Sequence, residues 1–320
     1  MKPSTKSMTR LLLASILFSL PVLCTLFANA QADSATPVFT IGVFNRSSVE
    51  FAQGAPNQPV NFTVGTSTAQ KDWYAKQPVE SVSTPSQPNA AKPIAPWAIH
   101  FSLPNSPASS YRLHVALLIE NPGVPALRVA INGKTGTFYL QPKLDYNGGD
   151  YSDATFAAYS HADVVVDFPG SYLHSGANTI TLQAVEKPPA SLPDAALSPG
   201  DALTYDAIEL DPSTKHISLS DSSAFVLPTI FYRQRQGQLQ ESVDAILRYA
   251  RPLKPNSSID LALDGKHYRQ ALLSSQDFGE EKVEFSVPEF PAHTEARLTW
   301  NIAGHARHAR EFIDPQKKWT

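Results

Sequence analysis

Residues 170–185, GSYLHSGANTITLQAV, and 203–211, LTYDAIELD, are the two segments whose reading decides the fold. In the first, a turn at Ser175-Gly176 precedes an alternation that sets Ile180 and Leu182 on one face, the period-2 pattern of a half-buried strand. In the second, the same alternation places Asp206 on a face with Ile208 and Leu210. A carboxylate held inward at a strand end is costly unless donors or a cation compensate it. Asp206 is therefore a position that some neighbour has to satisfy.

Upstream, short β-prone runs recur at Val38–Phe44, Trp97–Leu103, Tyr111–Glu120, Ala126–Ile131, Thr137–Leu140 and Ala162–Phe168. The breaks between them carry turn chemistry, with Asn132-Gly133 as a two-residue hairpin signal and Pro169-Gly170 as a further stop. Residues 81–96, rich in Ser, Pro, Asn and Ala, read as a surface loop. With the two segments above, this spacing predicts an all-β jelly roll over residues 36–212. Asp211-Pro212-Ser213 marks a boundary, after which the pattern restarts over residues 216–314. The runs there are Ala224–Tyr232, Ser242–Tyr249, Ser258–Leu263, Tyr268–Leu273, Val283–Val287, Ala296–Ile302 and His308–Ile313, with a hairpin turn at Asp264-Gly265. They predict an immunoglobulin-like or fibronectin-like sandwich. Val243–Tyr249 also fits one or two helical turns, and its neighbours favour the strand.

Residues 1–30 combine Lys2, Lys6 and Arg10 with an apolar run from Leu11 to Phe27 and a small-x-small site at Ala28-Asn29-Ala30, the plan of a secretory signal peptide. An uncleaved anchor is the competing reading, and the run is short for a membrane span. The expected destination is the periplasm or the exterior, with no membrane association after cleavage. Cys24 is the only cysteine and lies within the leader, so no disulfide is expected in the exported chain. The whole chain has a net charge of −3, made more negative by loss of three basic leader residues, which argues against nucleic-acid partners.

Six pieces taken in order resemble one known module: FTIGVFNRSSVEF (39–51), NFTVGTSTAQKDWYAKQP (61–78), PWAIHFSL (96–103), LRVAINGK (127–134), GSYLHSGANTITL (170–182) and LTYDAIELD (203–211). The resemblance is to domain III of the rhamnogalacturonan lyases of polysaccharide lyase family 4. It implies a galactose-binding-like jelly roll of the carbohydrate-binding type, with a polysaccharide or oligosaccharide partner of the pectic class. The lyase's catalytic lysine and histidine belong to a large N-terminal domain with no counterpart here, so no catalytic residue is carried over. PTIFYRQRQGQLQESVDAILRY (228–249), DFGEEKVEFSVPEF (277–290) and PQKKWT (315–320) resemble the segment before the catalytic domain in bacterial proteins similar to glycoside hydrolase family 38. That resemblance implies a metal-binding catalytic domain downstream, and residues 315–320 then read as a tail or the start of a linker.

Catalytic motifs are missing: there is no GxSxG, HExxH, phosphate-binding glycine loop or CxxC pair. His161 and Asp163 have metal-like spacing but sit at the start of a strand, and a surface pair is the cheaper reading. The segment Asp145–Asp153 lacks the glutamate of an EF-hand, with Phe156 in its place. Its Tyr146, Asn147, Asp150 and Tyr151 have the chemistry of sugar contacts, aromatic faces beside amides and carboxylates. Trp73 and Tyr74 are candidates of the same kind, against a core role for Trp73. Trp97 and Trp300 alternate with apolar residues and read as core. Three explanations stand for Asp206: a turn cap, a structural calcium at the sandwich edge, and ligand contact. The expected function is that of an exported carbohydrate-binding accessory protein or the non-catalytic front end of a polysaccharide-degrading enzyme. Its rivals are a lyase or glycosidase working through the 145–153 loop, and a purely structural scaffold.

Overall fold

Alternation produces strands here because each buries one face. In Trp97–Leu103, Trp97, Ile99, Phe101 and Leu103 are buried while Ser102 faces solvent and His100 is half-buried. The computed structural model describes residues 36–315, apart from 57, 80–93, 120–124, 141–142, 145–159, 186–201, 219–220, 236, 273 and 303. The leader, the closing tail and most of the 81–96 segment thus lie outside the described residues.

The first sandwich packs two sheets face to face. One contains β1 (Phe39–Gly42), β3 (Lys76–Pro78), β5 (Ser110–Leu118), β8 (Lys143–Leu144), β9 (Ser160–Pro169) and β11 (Ala202–Ser213) in the order β1-β11-β5-β9-β8. Strand β3 also pairs with β11, so β1 and β3 share one edge of that strand, β1 against Ala207–Leu210 and β3 against Ala202–Thr204. The opposing sheet runs β2 (Asn61–Thr63), β4 (Trp97–Leu103), β10 (Gly176–Val185), β6 (Ala126–Ile131), β7 (Lys134–Tyr139). The β6–β7 hairpin turns at Asn132 and Gly133, both with positive φ (47° and 84°), as a two-residue turn of this kind requires.

The second sandwich sets β12 (Ser223–Arg235), β13 (Gln238–Tyr249) and β16 (Phe278–Pro288) against β15 (Lys266–Ala271), β14 (Ser258–Leu263), β17 (Thr294–Ile302) and β18 (His305–Ile313). Its core includes Leu247, Ile259, Leu261, Phe285, Leu298 and Trp300. Residues 243–249 are strand, and the helical alternative falls. The short β2, β3 and β8 were not legible in the sequence, being too brief to show a period.

Within the first core, Gln77 on β3 links the two sheets. Its amide donates to the carbonyl of Leu182 (2.9 Å) and its Oε1 accepts from the Ala184 N–H (3.0 Å) and the Tyr205 hydroxyl (2.8 Å). Gln77 and Tyr205 are both fully buried, and burial raises the Tyr205 phenol far above its usual range, keeping it a neutral donor.

The sandwiches also share a sheet. β16 pairs in parallel with β7 through Phe278↔Gly136 and Gly279↔Thr137, so one eight-stranded sheet runs from β12 to β2. Phe278 belongs to the first core, not the second, and is 1% exposed among Phe138 and Tyr172. A Cβ on Gly136 would lie 2.6 Å from the Phe278 ring, so only glycine admits this approach. Around the ring, Asp277 accepts from Lys134 Nζ (3.1 Å) and the Thr135 N–H (3.0 Å), and Gln276 accepts from the Thr137 N–H (2.5 Å). Buried Glu280 accepts from the Tyr139 N–H (2.8 Å) and from Arg248 Nε (2.9 Å). Phe278→Ala should therefore cost about 3–5 kcal/mol in chemical denaturation, the penalty of an emptied aromatic site in a core. A loss under about 1 kcal/mol would mean that the junction is not packed as a core.

Candidate functional site

Strand β11 carries a bulge. Its register against β5 shifts between Tyr205 and Ala207, so the alternation that put Asp206 on the face of Ile208 and Leu210 is broken at that residue. Tyr205, Ile208 and Leu210 fill the core, while Asp206 turns into the gap between β1 and β3 under the 43–50 loop. There Asp206 Oδ1 accepts from the N–H groups of Asn45 (3.3 Å) and Ser47 (3.2 Å). Burial, the main cause, and the neighbouring Glu50 raise the Asp206 carboxyl above the usual range, and the backbone donors counteract part of that rise. Glu50 Oε1 accepts from the Val43 N–H (3.1 Å), so two carboxylates cap one loop.

Of the three readings of Asp206, the contacts seen are those of the turn cap. N–H groups converge on Oδ1, whereas a calcium shell is built of carboxylate and carbonyl oxygens. Among the described residues no group of three or more His, Cys, Asp or Glu is arranged to hold a metal ion. His161 and Asp163 form the surface pair expected: His161 Nε2 lies 4.0 Å from Asp163 Oδ2, and His114 Nε2 lies 2.9 Å from Asp163 Oδ1.

The capped loop holds out Val43 (57% exposed), Phe44 (42%) and Val49 (78%). Phe44 lies nearly flat on the His114 imidazole, 4.7 Å between ring centres and 23° between planes. Beneath it the outer face of the first sheet is polar. Glu209 pairs across strands with His114 and accepts from the Thr40 hydroxyl (2.8 Å), and Arg112 makes a two-pronged contact with Asp167 (2.8 and 3.2 Å). Asp211 stands opposite Arg112, and burial with the nearby Glu209 charge pushes its carboxyl upward. An exposed aromatic ring parallel to a floor of carboxylates, imidazole and guanidinium can stack on a sugar's C–H face while its hydroxyls find donors and acceptors.

The residues expected to bind sugar fare unequally. Trp73 is fully buried, its ring wedged against Trp97 (5.3 Å, 90°) and Tyr205 (5.4 Å, 76°), so it offers no stacking face and belongs to the core. Tyr74 is half-buried and packs against the same core. Tyr146, Asn147, Asp150 and Tyr151 lie outside the described residues. Trp97 and Trp300 are core, as their alternation predicts. Phe44 was missed, although continuing the β1 alternation past Phe39 and Ile41 places it with Thr40 on the solvent side.

The family model described as CBM-like, polysaccharide lyase family 4, domain III, matches residues 37–210, more than half of the chain, and the chain belongs to that family. No curated protein matches it. Among solved structures, it is similar to a GH2 beta-galacturonidase from Eisenbergiella tayi bound to galacturonate at 13% identity, covering 68% of this chain and 35% of that one, with a TM-score of 0.24. It is also similar to a family 35 carbohydrate binding module from an environmental isolate at 16% identity, covering 57% and 96%, with a TM-score of 0.22. A Bacteroides uniformis beta-glucuronidase matches at 12% identity, covering 68% and 26%, with a TM-score of 0.22. The chain spans about a third of the length of the first of these structures, and overlaps this loose carry no structural meaning.

Asp206→Asn keeps an acceptor at the cap and removes a charge that burial disfavours. Because the folded-state pKa is raised, the ionised carboxylate counts against folding above that pKa and the penalty fades as the pH falls through it. Asp206→Asn should accordingly stay within about 1 kcal/mol of wild type at pH 7, while Asp206→Ala, which strands the two N–H groups, should cost about 1–3 kcal/mol. Thermal melts with calcium or with a chelator should coincide. A calcium-dependent rise of several degrees would return Asp206 and Glu50 to the role of ion ligands.

Proposed function

We propose that this protein is an exported, non-catalytic carbohydrate-binding module that docks a glycan on the outer face of its first sandwich, with Phe44 as the stacking platform. The observation that carries the reading is the ring of Phe44 held flat over His114 by a loop capped on Asp206, above a floor of Glu209, Asp163 and Arg112. Membership in a CBM-like family supports a sugar as the ligand. Export rests on the leader at residues 1–30, and a non-catalytic role rests on the lack of a catalytic motif in the sequence.

Affinity gel electrophoresis of the whole chain through pectic and mannose-rich polysaccharides tests it. At least one should retard the wild type, and Phe44→Ala should weaken that retardation by about tenfold or more, as loss of a stacked ring of roughly 1–2 kcal/mol implies. Retardation in none of the gels, or undiminished retardation of a folded Phe44→Ala, would sink the assignment. Appearance of unsaturated uronides or new reducing ends in the same incubations would instead mark an enzyme.

A further inference from the structure

A second polar cleft, of about 430 Å³, lies in the second sandwich where β12, β15 and β16 come together. Three guanidinium groups line it, Arg233 and Arg235 from β12 and Arg269 from β15, beside Tyr268, Gln270 and Glu284. Arg233 and Arg235 share a parity beyond a register shift that breaks β12 between Pro228 and Tyr232. Gln270 Nε2 donates to the Glu284 carbonyl (2.7 Å) and ties β15 to β16 at this point.

The charges do not balance. Glu284 is the one carboxylate on the lining, and its nearest oxygen is 3.9 Å from Arg233 Nη2, beyond hydrogen-bond length. Arg233 Nη2 is shielded from solvent and has no hydrogen-bond partner. Arg269 reaches the Ser258 hydroxyl (3.2 Å), and Arg235 has no partner among the described residues. Shielded guanidinium donors left unmet are costly, which makes the cleft a receptor for an anion with oxygens to offer. β12 and β15 are both edge strands, and charge placed there to prevent sheet-to-sheet pairing accounts for the exposed Lys266, Arg269 and Arg235, but not for Arg233, whose Nη2 is shielded from solvent without a hydrogen-bond partner. On a chain whose net charge is negative, such a local excess of cations is a built feature.

We infer that this cleft binds an acidic polysaccharide, its carboxylate or sulfate groups paired to Arg233 and Arg235 and a sugar face resting against Tyr268. The inference rests on the reading of the protein as a glycan binder and names the chemistry of the ligand at a second place on it. Retardation and titration calorimetry of the full chain would use polygalacturonate, dextran sulfate, neutral galactan and single-stranded DNA. Polygalacturonate or dextran sulfate should bind, whichever does identifying the acid group, and the affinity should fall as salt is raised from 20 to 300 mM, roughly from one Debye regime to another. Arg233→Gln with Arg235→Gln should weaken acidic-glycan binding about tenfold or more with an unchanged melting temperature, and Arg235→Gln alone, at an exposed site, should weaken it severalfold. Phe44→Ala should leave the arginine-dependent component intact. Neutral-glycan binding without acidic-glycan binding would overturn the cleft and spare the Phe44 face. Equal binding of single-stranded DNA, or full acidic-glycan binding by the folded double variant, would overturn it as well.

Discussion

Phe278 does not stay with its own sandwich. The strand that carries it begins in the core of the first domain, and within ten residues the same strand lines the core of the second, through Phe285 and Val287. A flexible connection would let each module search independently, at the entropic cost of ordering it on every binding event. Here that ordering is completed on folding, because Asp277, Gln276 and Glu280 satisfy the backbone and side-chain donors of β7 that an exposed edge would leave to water or to another chain. The outer strand of one sheet is thereby both capped and extended.

The same economy governs the first sandwich. A fully buried glutamine is expensive unless every polar atom is met, and Gln77 meets carbonyl, N–H and hydroxyl at once. The three-residue strand that carries it would be too short to hold a register by pairing alone; the side-chain link to β10 supplies what pairing lacks. One residue beyond Tyr205, the β11 bulge sends Asp206 out of the core to cap the 43–50 loop. A fold constraint, two short strands sharing one edge, thus becomes the support of the surface that presents Phe44.

The long strands were legible because their burial alternates: Trp97–Leu103, Ala126–Ile131 and Ser258–Leu263 coincide with their sequence periods. Turn residues were equally plain, since Asn132-Gly133 and Asp264-Gly265 adopt the positive φ that those pairs tolerate. What failed was parity across an irregularity. Nothing in YDAIEL announces a bulge, so Asp206 was aligned with Ile208 and Leu210, and Trp73, in a polar neighbourhood of sequence, was open to a surface role although three aromatic neighbours enclose it. The sharing of a sheet through Phe278 and Gly136 joins residues more than a hundred positions apart, beyond the reach of any local pattern.

These irregularities bear on how a weak binder gains strength. One aromatic platform or one arginine pair gives modest affinity on a flexible glycan, because the ligand's own ordering consumes much of the contact energy. Were both proposed surfaces to bind, they would act on one long chain as a bivalent receptor, the second contact forming at a raised effective concentration. Stiffness between the sandwiches is what makes that gain available, and the seat of Phe278 beneath Gly136 is where the chain secures it. A polymer carrying both exposed sugar faces and regularly spaced acid groups would satisfy both surfaces, whereas a short neutral oligosaccharide would engage only the Phe44 face. On the two proposed surfaces, chain length and charge of the glycan, rather than the identity of a single sugar, would therefore be the variables that set binding.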